Sequence, residues 1–392
     1  MIKVPGFLFS ALSGGIKKKP DLDMGLIFSK KEAAMAGVFT INLIKAAPVR
    51  ECIKKIGSAK GQAIVVTSGN ANACTGTQGI QDVQTTASLL AKQFGINESL
   101  VYVASTGVIG EPLPMNKITA ALPKLVDKLS DESIHEVASA IMTTDTFPKL
   151  YYRTINIKNY VGTLAGLAKG SGMIEPDMAT MLCFLMTDLA VEPTALQTAL
   201  RSAVDQSFNR ITVDGDMSTN DTALVMANGF LQNLPICIDS KEYGLFYEAM
   251  ADVTYQLARM IAKDGEGATR LIEVSVKGAK NDMEANLAAR AIANSNLVKT
   301  AIYGQDANWG RIMAAIGYSG AEAEESKSNI FINNIQIAKS GLATGKDAEA
   351  GASLSQKEVT IVVDLGIGTG QARILTCDLT EDYIRINALY RS

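Results

Sequence analysis

The chain has 392 residues, a net charge of −3 and 47% hydrophobic residues, enough length for two or three domains at about 150 residues each. No basic stripe appears beyond Lys17-Lys18-Lys19, a run expected to be a solvated turn before Pro20, so nucleic acid is not expected as a partner. A single histidine, His135, and five dispersed cysteines (Cys52, Cys74, Cys183, Cys237, Cys377) leave little material for a Ser-His-Asp triad, a zinc site or a disulfide framework.

Met24 to Ser29 and Met35 to Thr40 read as two short strands. Gly61 to Asn70 is a buried strand running into a Gly/Asn turn, Ile80 to Phe94 has helical spacing, and Leu100 to Gly107 is a strand ending in a loop. Ile118 to Leu129 is helical in pattern, with Pro123 expected to break or kink it. Ile134 to Met142 is an amphipathic helix with His135 on its polar face. In the second half Met181 to Leu189 is a strand, the helix at Pro193 to Leu200 has proline in its first turn, and Glu242 to Lys263 is a long helix. Leu271 to Lys277 alternates as a strand and Asp282 to Ala293 is helical. The tail is expected to be strand and turn, at Ile330 to Ile332, Gln336 to Ala338, Val359 to Leu365, Gln371 to Cys377 and Tyr383 to Asn387. Alternating helices and strands with several hairpin-like turns give an α/β class with mixed or antiparallel sheets in a layered sandwich. No stretch reaches the roughly 18 apolar residues of a membrane span, and residues 1–7 lack a signal-peptide core, so a cytoplasmic location is expected.

Thr180 follows Gly-rich, Pro-broken chain (Lys169-Gly170-Ser171-Gly172 … Pro176-Asp177-Met178-Ala179) and precedes an apolar strand. A threonine hydroxyl needs a base to act as a nucleophile, and a cut at Ala179-Thr180 would supply one as its own α-amino group. The plain alternative is a strand threonine. Cys183, in the apolar run, reads as core packing or as a rival nucleophile, and Asp188 as an ordinary surface acid. In Ala104-Ser105-Thr106-Gly107-Val108-Ile109-Gly110, the Thr106 hydroxyl and Gly107 N–H could form an oxyanion hole, or the segment is a plain strand-turn. Glu266, in the Gly-flanked acids after the long helix, is either a turn acid or the holder of a substrate ammonium. Val213 to Thr222 lacks the spacing and closing Glu of a calcium loop, and Gly366 to Gly370 precedes a strand, so it reads as a tight β-turn and not a dinucleotide fingerprint.

In order along the chain, Ala36-Gly37-Val38-Phe39-Thr40, Ser68-Gly69-Asn70-Ala71-Asn72-Ala73-Cys74-Thr75-Gly76, Ser105-Thr106-Gly107-Val108-Ile109-Gly110, Ala168-Lys169-Gly170-Ser171-Gly172-Met173-Ile174, Met178-Ala179-Thr180-Met181-Leu182, Thr212-Val213-Asp214-Gly215-Asp216, Asp264-Gly265-Glu266-Gly267-Ala268-Thr269 and Asn308-Trp309-Gly310-Arg311 resemble the ornithine acetyltransferase (glutamate N-acetyltransferase) family. The resemblance implies an αββα-type sandwich like that of N-terminal-nucleophile hydrolases. It implies self-cleavage between Ala179 and Thr180 into chains 1–179 and 180–392 that remain one intertwined unit, paired into a heterotetramer. By it Thr180 is the nucleophile, Thr106 and Gly107 form the oxyanion hole, and Thr143, Lys169, Thr180, Glu266, Asn387 and Ser392 bind substrate. Glu175 and Asp177 before the cut and Leu389 near the C-terminus depart from the family pattern.

The activity so implied is transfer of acetyl from N2-acetylornithine to glutamate through an acetyl-threonine ester, in arginine biosynthesis. No metal or cofactor is expected; acetyl-CoA is an additional candidate donor. The partners are the small-molecule substrates, with no membrane. An N-terminal-threonine amidohydrolase or aminopeptidase of the same fold is the rival.

Overall fold

The computed structural model describes residues 2–175 and 181–389. The chain divides into two compact units, 1–209 with 217–261, and 210–216 with 262–392.

The first unit runs β1 (Phe7–Leu12), β2 (Met24–Phe39), α1 (Ala47–Ile56), β3 (Lys60–Asn70), α2 (Gly76–Phe94), β4 (Val101–Val108), α3 (Met115–Asp127), α4 (Ile134–Ala140), β5 (Lys149–Ile157), β6 (Tyr160–Lys169), β7 (Leu182–Thr187), α5 (Pro193–Gln206), β8 (Thr222–Ala227) and most of α6 (Glu242–Lys263). Its sheet has the order β4-β3-β2-β8-β7-β6-β5, with β1 added on β2. The β3–β4 and β7–β8 pairs are parallel and the others antiparallel.

β2 is one strand where the sequence suggests two. The interruption, Lys30-Lys31-Glu32, is exposed at a register shift, so the charged triplet faces water without ending the strand. The first half of β2 pairs β1 and the second half pairs β8. Both faces of the sheet are covered. Ile64 and Val66 of β3 pack with Ile134, Val137 and Ala138 of α4, while Ala63 and Val65 turn to Val83, Ala87 and Leu90 of α2 and Ile118 and Leu122 of α3. α3 continues through Pro123 instead of breaking. The proline removes one donor, and buried Ile118, Ala121, Leu122 and Leu125 hold the helix on the core.

The second unit contains β9 (Leu271–Ala279), α7 (Asp282–Asn294), α8 (Asn296–Tyr303), α9 (Trp309–Gly317), β10 (Asn329–Ile332), β11 (Ile335–Lys339), β12 (Leu342–Ala343), α10 (Asp347–Ser353), β13 (Glu358–Asp364), β14 (Gly370–Cys377) and α11 (Glu381–Ala388). Its sheet has the order β12-β11-β10-β13-β9-β14. Ile272, Val274 and Val276 of β9 meet Ala285, Ala288 and Ile292 of α7 in its core.

Two expectations fail here. Tyr383 to Asn387 lies in the helix α11, because Thr380 caps its start by accepting from the Asp382 N–H, with Glu381 and Asp382 in the first turn and Arg385 in the last. Gly366 to Gly370 is not a tight turn between paired strands. β13 and β14 flank β9 on either side, and the loop wraps its end, with the Ile367 and Gly368 N–H groups donating to the Gly278 carbonyl. The α/β class and the mixed sheets stand as read from the sequence.

Candidate active site

The parallel pair β3–β4 ends with Gly69 beside Gly107. Gly107 has φ +135°, and a Cβ there would lie 2.3 Å from the Gly69 carbonyl carbon and 2.5 Å from the Asn70 nitrogen, so only glycine fits. Thr106 is buried beside it. Its Oγ1 accepts from Lys169 Nζ at 3.4 Å, which leaves the hydroxyl proton available to donate elsewhere.

Lys169 is the last residue of β6 and is buried. The chain continues into Gly170, whose N–H donates to Asp145 Oδ1 at 2.8 Å. Asp145 also accepts from Lys149 Nζ at 2.7 Å on the same oxygen and from the Thr143 N–H at 3.0 Å on the other. Burial works against the Asp145 charge, but the Lys169 and Lys149 charges and the hydrogen bonds from Lys149 and Gly170 outweigh it. They hold its carboxyl down at about 2, from an ordinary 3.8. Thr144 Oγ1 lies 3.2 Å from Ser171 Oγ, a second tie between the two loops. Thr143, Thr106, Gly107 and Lys169 are therefore brought together in one unit, around a carboxylate the sequence reading did not single out.

Lys17 belongs to the same neighbourhood and is more than a solvated turn. It is half-buried, its Nζ donates to the Leu22 carbonyl at 2.8 Å, and a Cβ on Gly69 would meet its Cγ and backbone. Burial lowers its pKa, opposed by Asp23, Asp21 and Asp145 and assisted by Lys169.

Ala179, Thr180 and Ser392 lie outside the described residues. The residue after Thr180 is described: the Met181 N–H donates to Asp221 Oδ1 at 2.9 Å. Asp221 is fully buried and its Oδ2 has no partner among the described residues. The nearby Thr40 hydroxyl is committed to the Ser218 carbonyl at 2.9 Å. Burial pushes the Asp221 carboxyl well above its ordinary range, more strongly than the Met181 N–H, the Lys169 charge and the neighbouring Thr40 hydroxyl pull it down. The preceding residue, Asn220, donates from Nδ2 to the Ser105 carbonyl at 2.7 Å and to the Ala71 carbonyl at 2.6 Å.

Glu266 and Asn387 belong to the second unit, where Asn387 Nδ2 donates to Glu266 Oε2 at 2.7 Å. A Cβ on Gly267, at φ +71°, would lie 2.6 Å from the Tyr383 nitrogen, so glycine lets the acidic loop lie against α11. Tyr383 in turn donates from its hydroxyl to Asp214 Oδ2 at 3.2 Å.

Other readings resolve as follows. His135 is exposed on α4. Cys183 is fully buried in the apolar interior of β7, and burial pushes its thiol up, which suits packing and not attack. Asp188 is no surface acid: it is buried at the end of β7, and its Oδ1 accepts from the Thr163 N–H at 2.7 Å. Among the described residues no group of His, Cys, Asp or Glu could hold a metal ion, and no helix is long and apolar enough to cross a membrane. Asp145, Lys149, Asn220 and Asp221 are buried neighbours of the candidate site, and the sequence reading did not single them out. The available signals were an i,i+4 Asp/Lys pair and an acid placed two residues before the apolar run Ala223-Leu224-Val225-Met226.

The ArgJ family model matches residues 8–392. The arginine biosynthesis bifunctional protein ArgJ of Geobacter sulfurreducens is 51% identical over 393 residues, covering 100% of both chains. That of Syntrophotalea carbinolica is 49% identical over 394 residues, again covering 100% of both. A crystal structure of the arginine biosynthesis bifunctional protein argJ from Bacillus halodurans matches at 49% identity and a TM-score of 0.51, covering 52% of this chain and 97% of that one.

Proposed function

The chain belongs to the ArgJ family, and on that premise we propose that it is a self-processing acyltransferase of arginine biosynthesis that moves acetyl from N2-acetylornithine to glutamate through Thr180. The observation that carries this reading is the convergence at one end of the first sheet. Lys169 touches Thr106, and the neighbours of Thr106 and Thr180, namely Ser105 and Met181, are held by the consecutive residues Asn220 and Asp221.

Processing starts when Thr180 Oγ1 attacks the Ala179 carbonyl; the C–N bond breaks as the peptide becomes an ester, which frees the Thr180 α-amino group, and water then hydrolyses the ester to release the Ala179 carboxylate and restore the Thr180 hydroxyl. An α-amino group titrates near pH ~7.7–8.0, so part of it is free base at neutral pH and able to take the hydroxyl proton. In transfer, Oγ1 attacks the acetyl carbonyl of N2-acetylornithine. Thr106 and Gly107 donate to the oxyanion, the C–N bond breaks, and the α-amino group returns its proton to the departing amine of ornithine. The amine of glutamate then attacks the acetyl-threonine ester and releases N-acetylglutamate. Both amino acids carry an α-carboxylate, for which the Lys169 ammonium is a suitable partner, with Thr143 as a further contact. Glu266, held by Asn387, suits a substrate ammonium, and Ser392 completes the proposed set. Acetyl-CoA as a second acetyl donor to glutamate is part of the same proposal, and the relatives' name, bifunctional, accords with two activities. The chemistry requires no metal or resident cofactor.

Two observations support cutting at Ala179-Thr180. The Bacillus halodurans chain that matches is itself about half the length of this one, as one product of such a cut would be. The sheet also tolerates it, since β2–β8 and β6–β7 pair strands from opposite sides of the cut and would hold the fragments together. A heterotetramer of two such pairs, working in the cytoplasm, follows the same family reading.

Denaturing electrophoresis tests the proposal. Wild type should give fragments of 179 and 213 residues, the larger beginning Thr180-Met181-Leu182. Thr180→Ala should give one intact band and no acetyl transfer. An active, uncut wild-type chain would defeat the proposal, and release of free acetate at the transfer rate under saturating glutamate would favour a hydrolase.

A further inference from the structure

The Val213 to Thr222 segment fails as a calcium loop, yet its last residues are tied to the first unit by several hydrogen bonds. Thr40 donates its hydroxyl to the Ser218 carbonyl at 2.9 Å and its N–H to the Asp221 carbonyl at 3.1 Å. The Ala46 N–H donates to the Thr219 carbonyl at 2.9 Å, and the Thr219 hydroxyl to Asn220 Oδ1 at 2.6 Å. The Thr222 N–H reaches the Met181 carbonyl at 3.1 Å, where β8 begins to pair with β7. Asn220 and Asp221 are both buried, so their side chains do not exchange these partners with water.

Each of the two side chains holds backbone next to a residue of the proposed chemistry. Asn220 Nδ2 fixes the Ser105 carbonyl, in the peptide bond that leads into Thr106, and the Ala71 carbonyl on the strand end beside it. Asp221 Oδ1 fixes the Met181 N–H, in the peptide bond that leaves Thr180. The two anchors are neighbours in sequence, and the hydrogen bonds of Ser218, Thr219, Asp221 and Thr222 hold the backbone that carries both. The Met181 amide is not the bond that is cut, so its anchor is available before and after processing.

We propose that Asn220 and Asp221 form a positioning clamp that sets the separation of Thr180 Oγ1 from the Thr106–Gly107 oxyanion donors. Asn220 registers the oxyanion side through Ser105, and Asp221 registers the nucleophile side through Met181. The proposal rests on Thr180 being the nucleophile. Reacting atoms must meet at about 3–3.5 Å, and a misplacement near 1 Å costs on the order of 10²-fold in rate. Neither side chain is assigned a contact with substrate, so the clamp acts on kcat and not on KM. Asp221 serves as an acceptor toward Met181 and is biased toward its protonated form, so an asparagine at this position can do the same work.

Asn220→Ala, Asp221→Ala, Asp221→Asn and Thr180→Ala are compared with wild type for extent of cutting, kcat and KM per cleaved chain, and Tm. Asn220→Ala and Asp221→Ala should lose kcat by about 100-fold, with KM within about threefold. A folded variant that no longer cuts itself counts the same way, since cutting also needs Oγ1 in register. Asp221→Asn should recover most of the rate lost in Asp221→Ala. If an alanine variant is insoluble, Asp221→Glu replaces it: the carboxyl is displaced by one methylene and the same loss is expected. Wild-type kcat in both alanine variants with only a lowered Tm would overturn the clamp, as would an Asp221→Asn enzyme as slow as Asp221→Ala. Thr180→Ala separates the two ideas. Transfer by that variant sinks the nucleophile reading, whereas an inert Thr180→Ala beside fully active clamp variants sinks the clamp alone.

Discussion

Two aspartates of the first unit are buried within the field of Lys169, one in the loop after α4 and one in the turn before β8. Asp145 has a lysine at 2.7 Å, two backbone N–H donors and a second lysine close enough to act through space. Asp221 has one N–H donor and an oxygen with no partner among the described residues. Burial opposes ionisation in both, and the number of donors and cations decides which way each moves. The first is held as a carboxylate and ties two loops together. The second is biased toward the neutral acid, and as such it adds little negative charge beside Lys169. The contrast shows how one apolar interior can hold one buried aspartate as an anion and bias another toward the neutral acid.

Removing the carboxylate of Asp145 is the strongest way to probe that contrast. Neither the Asp145 nor the Lys149 side chain is exposed, so Asp145→Ala takes away the charge that Lys149 meets and two amide acceptors together. A loss of about 3–5 kcal/mol in unfolding free energy is expected, the range for breaking a buried pair from one side. Urea denaturation would measure it. A loss below about 1 kcal/mol would mean that the pair is not an organising element and that the contrast with Asp221 is empty.

A smaller effect is expected from acid. Because the folded-state pKa of Asp145 is held down at about 2 from 3.8, its stabilisation is present above about 3.8 and is lost as pH falls toward about 2. Asp145→Asn has no such titration. The stability gap between wild type and Asp145→Asn should therefore be constant near neutrality and close between about pH 3.8 and about pH 2. A gap that stays open through that window would place the cause in packing instead of charge.

The two aspartates also mark where sequence reading stops. The strand that ends in Thr106 and Gly107 was legible because an apolar run closes there on small residues, and α6 was legible over its whole span, Glu242 to Lys263, from periodicity alone. Tyr383 to Asn387 misled because Ile384 and Ile386 alternate with Arg385 and Asn387 as in a strand, while the deciding cap, Thr380, lies three residues earlier. Asp145 and Asp221 carry only weak local signals, the i,i+4 spacing to Lys149 and the nearby apolar run, and Asn220 carries none. Their meaning lies in contacts to residues 25, 149 and 40 positions away, which pairwise spacing along the chain cannot express.

The smallest and most discriminating effect belongs to Asp221→Asn. Below about pH 3.8 Asp221 is protonated both folded and unfolded, so wild type and variant should differ only by local hydrogen bonding. As pH rises, the unfolded carboxyl ionises freely, whereas the folded one must keep its proton or place a charge in a fully buried position. Wild type therefore loses stability with rising pH, up to its folded pKa, in a way the variant does not. The sign is opposite to that of Asp145. The asparagine keeps an acceptor for Met181 but buries an amide NH2 where Oδ2 stood, which offsets part of the gain, so the net change near neutrality is expected to be about 1 kcal/mol. The informative quantity is the slope: Tm of Asp221→Asn minus Tm of wild type should climb from pH 3.5 toward pH 8, with Asp145 common to both chains and cancelling (about 3.5 and 8 being chosen to bracket the ordinary carboxylate range). A difference that is flat with pH would mean that Asp221 ionises as readily folded as unfolded, and the two buried aspartates would then be alike.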